Sequence, residues 1–292
     1  MHPEILPAGP GDGEGGAATY PGPVDSGSSR HTCNGMDLLT WPVLQPHPLD
    51  VVMTTRTGGV STGPYASLNL GLHVGDDPRA VVENRRRVAA ALDLTLDDLV
   101  FCRQTHGRGV ATVTRDDAGK GSRGEADALD GIDALVTVET GLGLVMMAAD
   151  CTPMALYDPD ANVVACVHSG WRGTVARVAE AALDVMVGLG ADPRRVLAAI
   201  GPTIPGDRYQ VGPEVAAAAV GALGDLDGVA VPDGSGRWLL DLVAANRRIL
   251  AAAGVPEEHI YVSGVSTSDR LCFSDRAERP CGRQAMIVVL RR

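Results

Sequence analysis

Residues 149–173 read ADCTPMALYDPDANVVACVHSGWRG. Two apolar runs of strand length, 153–157 and 162–168, are parted by residues 158–161. A parallel crossover needs about a dozen or more residues, so these runs predict antiparallel neighbours. An amphipathic segment follows at once and predicts a helix over 174–189. The same stretch raises a chemical question. Cys151 follows an acid at the end of one apolar run, and His168 closes the next just ahead of an arginine held between glycines.

The alternation continues on both sides. Apolar runs at 50–55, 99–103, 109–114, 132–138, 142–148, 195–200, 259–264 and 284–290 predict further strands. Helices are expected over 78–92, with Asp77 as cap and Pro78 in the first turn, and over 213–223 and 241–253. Strands and helices interleave with no linker after residue 40. The expectation is a single layered α/β domain of the α+β type over 36–292, a mixed β-sheet flanked by helices. Residues 1–35 are rich in Gly, Pro and Ser and predict a disordered N-terminal tail; Met36 opens the first segment with a folded pattern.

Composition agrees with this class. Of 292 residues, 45% are hydrophobic, yet only two are Phe, five Tyr and three Trp, so Val, Leu, Ile and Ala must fill the core. A net charge of −11 argues against nucleic-acid partners, which need a basic face. No run approaches the ~18 apolar residues of a membrane span, so no membrane partner is expected. No secretory signal is visible, and six cysteines without framework spacing favour reduced thiols and a cytoplasmic location.

Three side chains suit a metal: His106 in RQTHGRG, Cys151 in AADCTP and His168 in CVHSGW. Each lies just past an expected strand, where loops gather at one sheet edge. Three N/S ligands with one position open is the pattern of catalytic zinc, although spacing alone leaves ordinary turn histidines open as a reading. Arg172, on the turn from strand to helix, offers a fork for phosphate or carboxylate beside a helix N-terminus. Arg56 in TTRTGG sits beside a glycine pair that permits close backbone approach; taken alone, either arginine fits a solvated turn better than a ligand site. A second chemistry uses the same residues without metal: a cysteine hydrolase acting on an amide, with Cys151 as nucleophile and His168 as base.

The strings TTRTGGVSTGPYASLNLGLHVGDD, VENR, QTHG, ADCTPMALYDP, HSGWRGT, IGPTIPGDRYQVGPEV, DLVAANRRIL and GRQA occur in this order. Together they resemble the bacterial multicopper polyphenol oxidoreductase (laccase-domain) family, now regarded as purine nucleoside phosphorylases, over about residues 40–292. The resemblance implies zinc on His106, Cys151 and His168. It implies phosphorolysis of adenosine, inosine, guanosine or methylthioadenosine to base and ribose 1-phosphate, with deamination of adenosine as a side activity. The partners are then a small purine nucleoside and phosphate, handled by a monomer or small homo-oligomer. Arg56 and Arg172 are assigned to phosphate, Asn69 and Gln104 to orientation of substrate. Asp150 either supports the ligand loop or acts as a base. The family's older name points to copper oxidation of phenols, but seven histidines without an HxH pair suit multicopper clusters poorly, leaving copper as an adventitious occupant. Four positions depart from the family pattern: Thr203, where cysteine is usual, Pro205, where glycine is usual, and Asp275 and Ala277 within Ser274-Asp275-Arg276-Ala277.

Overall fold

The computed structural model describes residues 27–292. Its centre is the hairpin read above. Strands Thr152–Asp158 and Val163–Ser169 pair antiparallel, and every residue of both is buried. Their side chains alternate between two cores: Ala155, Tyr157, Val164 and Cys166 enter one, while Met154, Leu156, Ala165 and Val167 enter the other. A strand with both faces buried needs a covering layer on each side.

Helices supply one cover and a second sheet the other. Around the hairpin the sheet runs Ile260–Val262, Leu197–Ile200, Thr152–Asp158, Val163–Ser169, Ala134–Thr137, Val110–Thr112, antiparallel at the centre and parallel at both edges. Helices α3 (Val178–Gly188) and α5 (Leu242–Ala252) cover its outer face through Val178, Ala182, Met186, Ile249 and Leu250. Against its inner face lies a sheet ordered Ser29–Cys33, Met36–Thr40, Leu49–Thr54, Gln284–Leu290, Gly143–Ala148, Leu99–Val100. Met53, Leu144, Met146, Met286 and Val288 fill the space between the sheets, and Val88 and Ala89 of α1 (Pro78–Ala91) close the far side. The α+β class and the mixed pairing stand, but the sheet is divided into two, giving four layers: helix, sheet, sheet, helix. Each fully buried Val or Leu contributes about 1.5–3 kcal/mol relative to exposure, so interleaved aliphatic chains make up for the scarcity of aromatics.

Three local readings need correction. The helix expected over 174–189 is two: α2 (Trp171–Val175) and α3, broken where Arg177 takes a left-handed conformation with φ 59°. Its guanidinium is fixed there by Glu180 at 2.6 and 2.9 Å and by the carbonyl of Ala222 at 2.9 Å. Part of the segment expected as a tail is folded. Ser29–Cys33 pairs with Met36–Thr40 around Asn34-Gly35, both at positive φ, which is the turn chemistry of a tight hairpin. Residues 1–26 of that expectation lie outside the described residues. The run 99–103 is also interrupted: Cys102–Arg103 leaves the sheet to pair with Leu129–Asp130, carrying the following loop with it. A further small sheet of Gln210–Val211, Trp238–Leu240 and Ala230–Pro232, packed with α4 (Pro213–Leu223), has no counterpart in the sequence reading. No helix among the described residues is long and apolar enough to cross a membrane.

Candidate metal centre and active site

In the central hairpin Thr152 pairs with Ser169 and Pro153 with His168, so Cys151 and His168 arrive side by side at one sheet end. His106 comes from the loop that Cys102–Arg103 carries out of the sheet, with φ 59°. The candidate ligand atoms of the three residues lie within 4.8 Å of one another. His168 is buried, Cys151 half-buried and His106 exposed, so the group faces solvent on the His106 side. Gly170 is required beside it: a Cβ there would sit 2.7 Å from Cys151 Sγ and 2.9 Å from His106 Cδ2.

Asp133, absent from the sequence reading, organises the group. Its Oδ1 accepts from His168 Nδ1 at 2.9 Å and from the His106 backbone N–H at 3.0 Å. Its Oδ2 accepts from the backbone N–H of Gly107 at 2.7 Å and of Thr105 at 3.2 Å. A carboxylate only accepts, so Nδ1 of His168 carries the proton and Nε2 is left as the donor atom for a metal. The charges are coupled. Burial pushes the Cys151 thiol up, but His168 and His106 overcome it and bring the thiol down to about 6. Burial likewise disfavours a charged His168, yet Cys151 and Asp133 raise it to about 9. Burial works against Asp133 too, and the His168 and backbone N–H bonds still hold it at about 2. One readily ionised thiol, two imidazoles and a carboxylate orienting one of them form a donor set that fits a borderline transition metal.

The trio lies in the wall of a cavity of 620 Å³. Arg172 lines it, its guanidinium 4.3 Å from the Trp171 ring centre. Gln104 lines it as well, but its Nε2 donates to the Met147 carbonyl at 2.8 Å and its Oε1 accepts from the Met147 N–H at 2.9 Å, so both polar ends are engaged. Asp150 accepts from Thr267 Oγ1 at 2.6 Å, Ser274 Oγ at 2.8 Å and the Arg276 N–H at 2.6 Å. Of its two candidate roles, this geometry favours support of the loop that follows Cys151.

Two of the expected residues are not brought to the cavity. Asn69 is buried away from the cavity, bonded to Gly71, Asp76 and the Arg283 N–H, and acts as a staple between loops. Arg56 is not in the lining either; it pairs with Glu278 at 3.0 Å, donates to the Ala66 carbonyl and stacks on Phe273. In their place the cavity gathers Arg103, Arg276, Arg279 and Arg283 with Tyr209 and Trp171. The departure at Thr203 lies outside the lining, its hydroxyl bonded to the Gly201 carbonyl, whereas Asp275 lies within it.

Residues 50–291 match the model of the family described as multi-copper polyphenol oxidoreductase laccase, and the chain belongs to that family. Among its relatives, a purine nucleoside phosphorylase of Deinococcus radiodurans is 42% identical over 249 residues, covering 85% of this chain and 90% of that protein. A prokaryotic protein named adenosine deaminase RL5 is 40% identical over 74% of this chain and 82% of its own length. The crystal structure of YlmD from Geobacillus stearothermophilus superposes with a TM-score of 0.84 at 38% identity, covering 90% of this chain and 98% of that one.

Proposed function

We propose that the chain is a zinc-dependent purine nucleoside phosphorylase that converts adenosine, and also inosine, guanosine or methylthioadenosine, with phosphate to the free base and ribose 1-phosphate, with adenosine deamination as a side activity. The observation that carries this reading is the meeting of one thiol and two imidazoles with an arginine-rimmed cavity of 620 Å³. That volume falls in the range of small-ligand sites, about 300–1,000 Å³. Relatives named purine nucleoside phosphorylase and adenosine deaminase support the substrate class.

His106, Cys151 and His168 would hold the zinc. Bound there, zinc supplies a Lewis acid and, for deamination, acidifies water toward neutrality. The rest falls to the chain. Arg172 and Arg276 each lie over an aromatic ring, Trp171 at 4.3 Å and Tyr209 at 4.9 Å, and among the described residues neither joins an ion pair, so both offer N–H groups to phosphate. Trp171 and Tyr209 also give the cavity apolar surface for a planar base. Holding phosphate against the anomeric carbon lets a phosphate oxygen form the new C–O bond as the C–N bond breaks and its electron pair leaves with the purine. The rate of adenine release should rise with phosphate and saturate; a rate independent of phosphate overturns the reading.

The cysteine-hydrolase reading keeps one specific observation, the lowered Cys151 thiol beside His168. Metal analysis separates the two: full activity in rigorously metal-free protein would favour the nucleophile.

A further inference from the structure

Asp275 stands among the arginines of the cavity rim and meets two of them. Its Oδ1 accepts from Arg283 Nη2 at 3.0 Å, and its Oδ2 from Arg279 Nε at 2.7 Å. Arg283 is anchored from behind as well, where Nη1 donates to the carbonyls of Cys281 at 3.1 Å and Gly282 at 3.0 Å. Its guanidinium therefore cannot swing to a new anion without losing fixed bonds. Arg172 and Arg276 differ, having no carboxylate partner among the described residues. All five side chains line the same cavity.

We propose that Asp275 is a specificity-determining residue: by holding Arg279 and Arg283 it leaves cationic donors for a single phosphate and excludes nucleosides that carry a phosphate of their own. The inference rests on the phosphorolysis reading and narrows it to uncharged nucleosides. A phosphate ester near this part of the rim competes with the carboxylate for the same N–H groups and meets a like charge, and repulsion of this kind discriminates between ligands that otherwise fit equally.

The test is calorimetric titration of adenosine 5′-monophosphate into the metal-loaded protein and two variants, Asp275→Asn and Asp160→Asn. Asp160 lies in the turn at the opposite end of the central hairpin from Cys151, paired with Arg195 at 3.2 Å, so its replacement removes the same charge without touching the cavity. Asp275→Asn should bind the monophosphate about tenfold or more tightly than the parent protein, and Asp160→Asn should match the parent. Asp275→Ser carries the same expectation and guards against an asparagine that keeps hold of Arg283. Binding no tighter in both Asp275 variants, or equal tightening in Asp160→Asn, overturns the proposal. Because the readout is binding, failure of phosphorolysis in the parent protein would be a separate result and would strike only the proposed function.

Discussion

Asp133 receives five hydrogen bonds from His168, His106, Gly107 and Thr105, so one carboxylate fixes both the loop and the tautomer that present two imidazoles. Asp133→Asn puts an amide donor where these donors converge. Zinc affinity in a chelator competition should fall about 10–100-fold; an unchanged affinity would show that His168 is oriented by other means. Arg172→Ala acts on the other partner. It should lower phosphate-dependent adenine release about a hundredfold while zinc content stays at the parent level, and an equal loss of deamination would mean that Arg172 serves the base rather than the phosphate. The meeting of His106, Cys151 and His168 was legible because each follows an expected strand and sits in one of the family strings QTHG, ADC and HSGWRG; spacing alone left turn histidines open. Asp133 was not, since an aspartate before an apolar run looks like any turn residue. Arg56 and Asn69 lie outside the cavity lining, and for Arg56 the reason is similar: glycines that shape a turn and glycines that admit a ligand look identical in one dimension.

At the level of elements, the hairpin turn of Asp158 shows how loops hold the site-bearing strands. Asp158 Oδ1 accepts from the N–H groups of Asp160 at 2.9 Å and Ala161 at 3.1 Å, and Oδ2 from Asp192 N–H at 2.7 Å and Arg195 Nη2 at 3.0 Å. Burial pushes this carboxyl up, but Arg195 and the three backbone donors outweigh it and hold its pKa below the ordinary 3.8. A depressed folded-state pKa gives stability that is fully present above 3.8 and is lost as pH falls through the lowered value. Asp158→Asn should therefore cost about 1–3 kcal/mol at neutral pH, with the gap to the parent narrowing below pH 4 in urea melts; a gap constant across pH would deny the carboxylate its role. The edge hairpin makes a second claim. Residues 29–33 cover the strand Met36–Thr40, and Gly27 N–H bonds to the Val262 carbonyl at 2.8 Å. A chain beginning at Met36 should melt several degrees below one beginning at Gly27, at about 2–4 °C per kcal/mol lost; equal melting would show that residues 27–35 add nothing to the fold. Asn34-Gly35 carried that signal, and a Gly- and Pro-rich neighbourhood masked it. Helix 213–223 matched its reading residue for residue, while 174–189 did not, because the break at Arg177 depends on Glu180 and a carbonyl from α4, contacts that no local period records.

Across the whole molecule, four layers place the end of one hairpin, a loop drawn out of the other sheet and the C-terminal arginine segment around a single cavity. The layer count escaped sequence reading because strands buried on both faces lose the polar alternation that would tell one sheet from two. The arginine rim escaped for a related reason: Arg276, Arg279 and Arg283 share one C-terminal segment, but Arg103 and Arg172 come from distant parts of the chain and meet them only through the way the two sheets pack. The central claim is that this cavity joins phosphate to the sugar of a purine nucleoside. Phosphorus NMR of the metal-loaded protein with adenosine and phosphate tests it most directly, read alongside adenine release. The account predicts ribose 1-phosphate and adenine in equal amounts, both lost in Cys151→Ser. Free ribose in place of the phosphate ester, or inosine as the sole product, would contradict it.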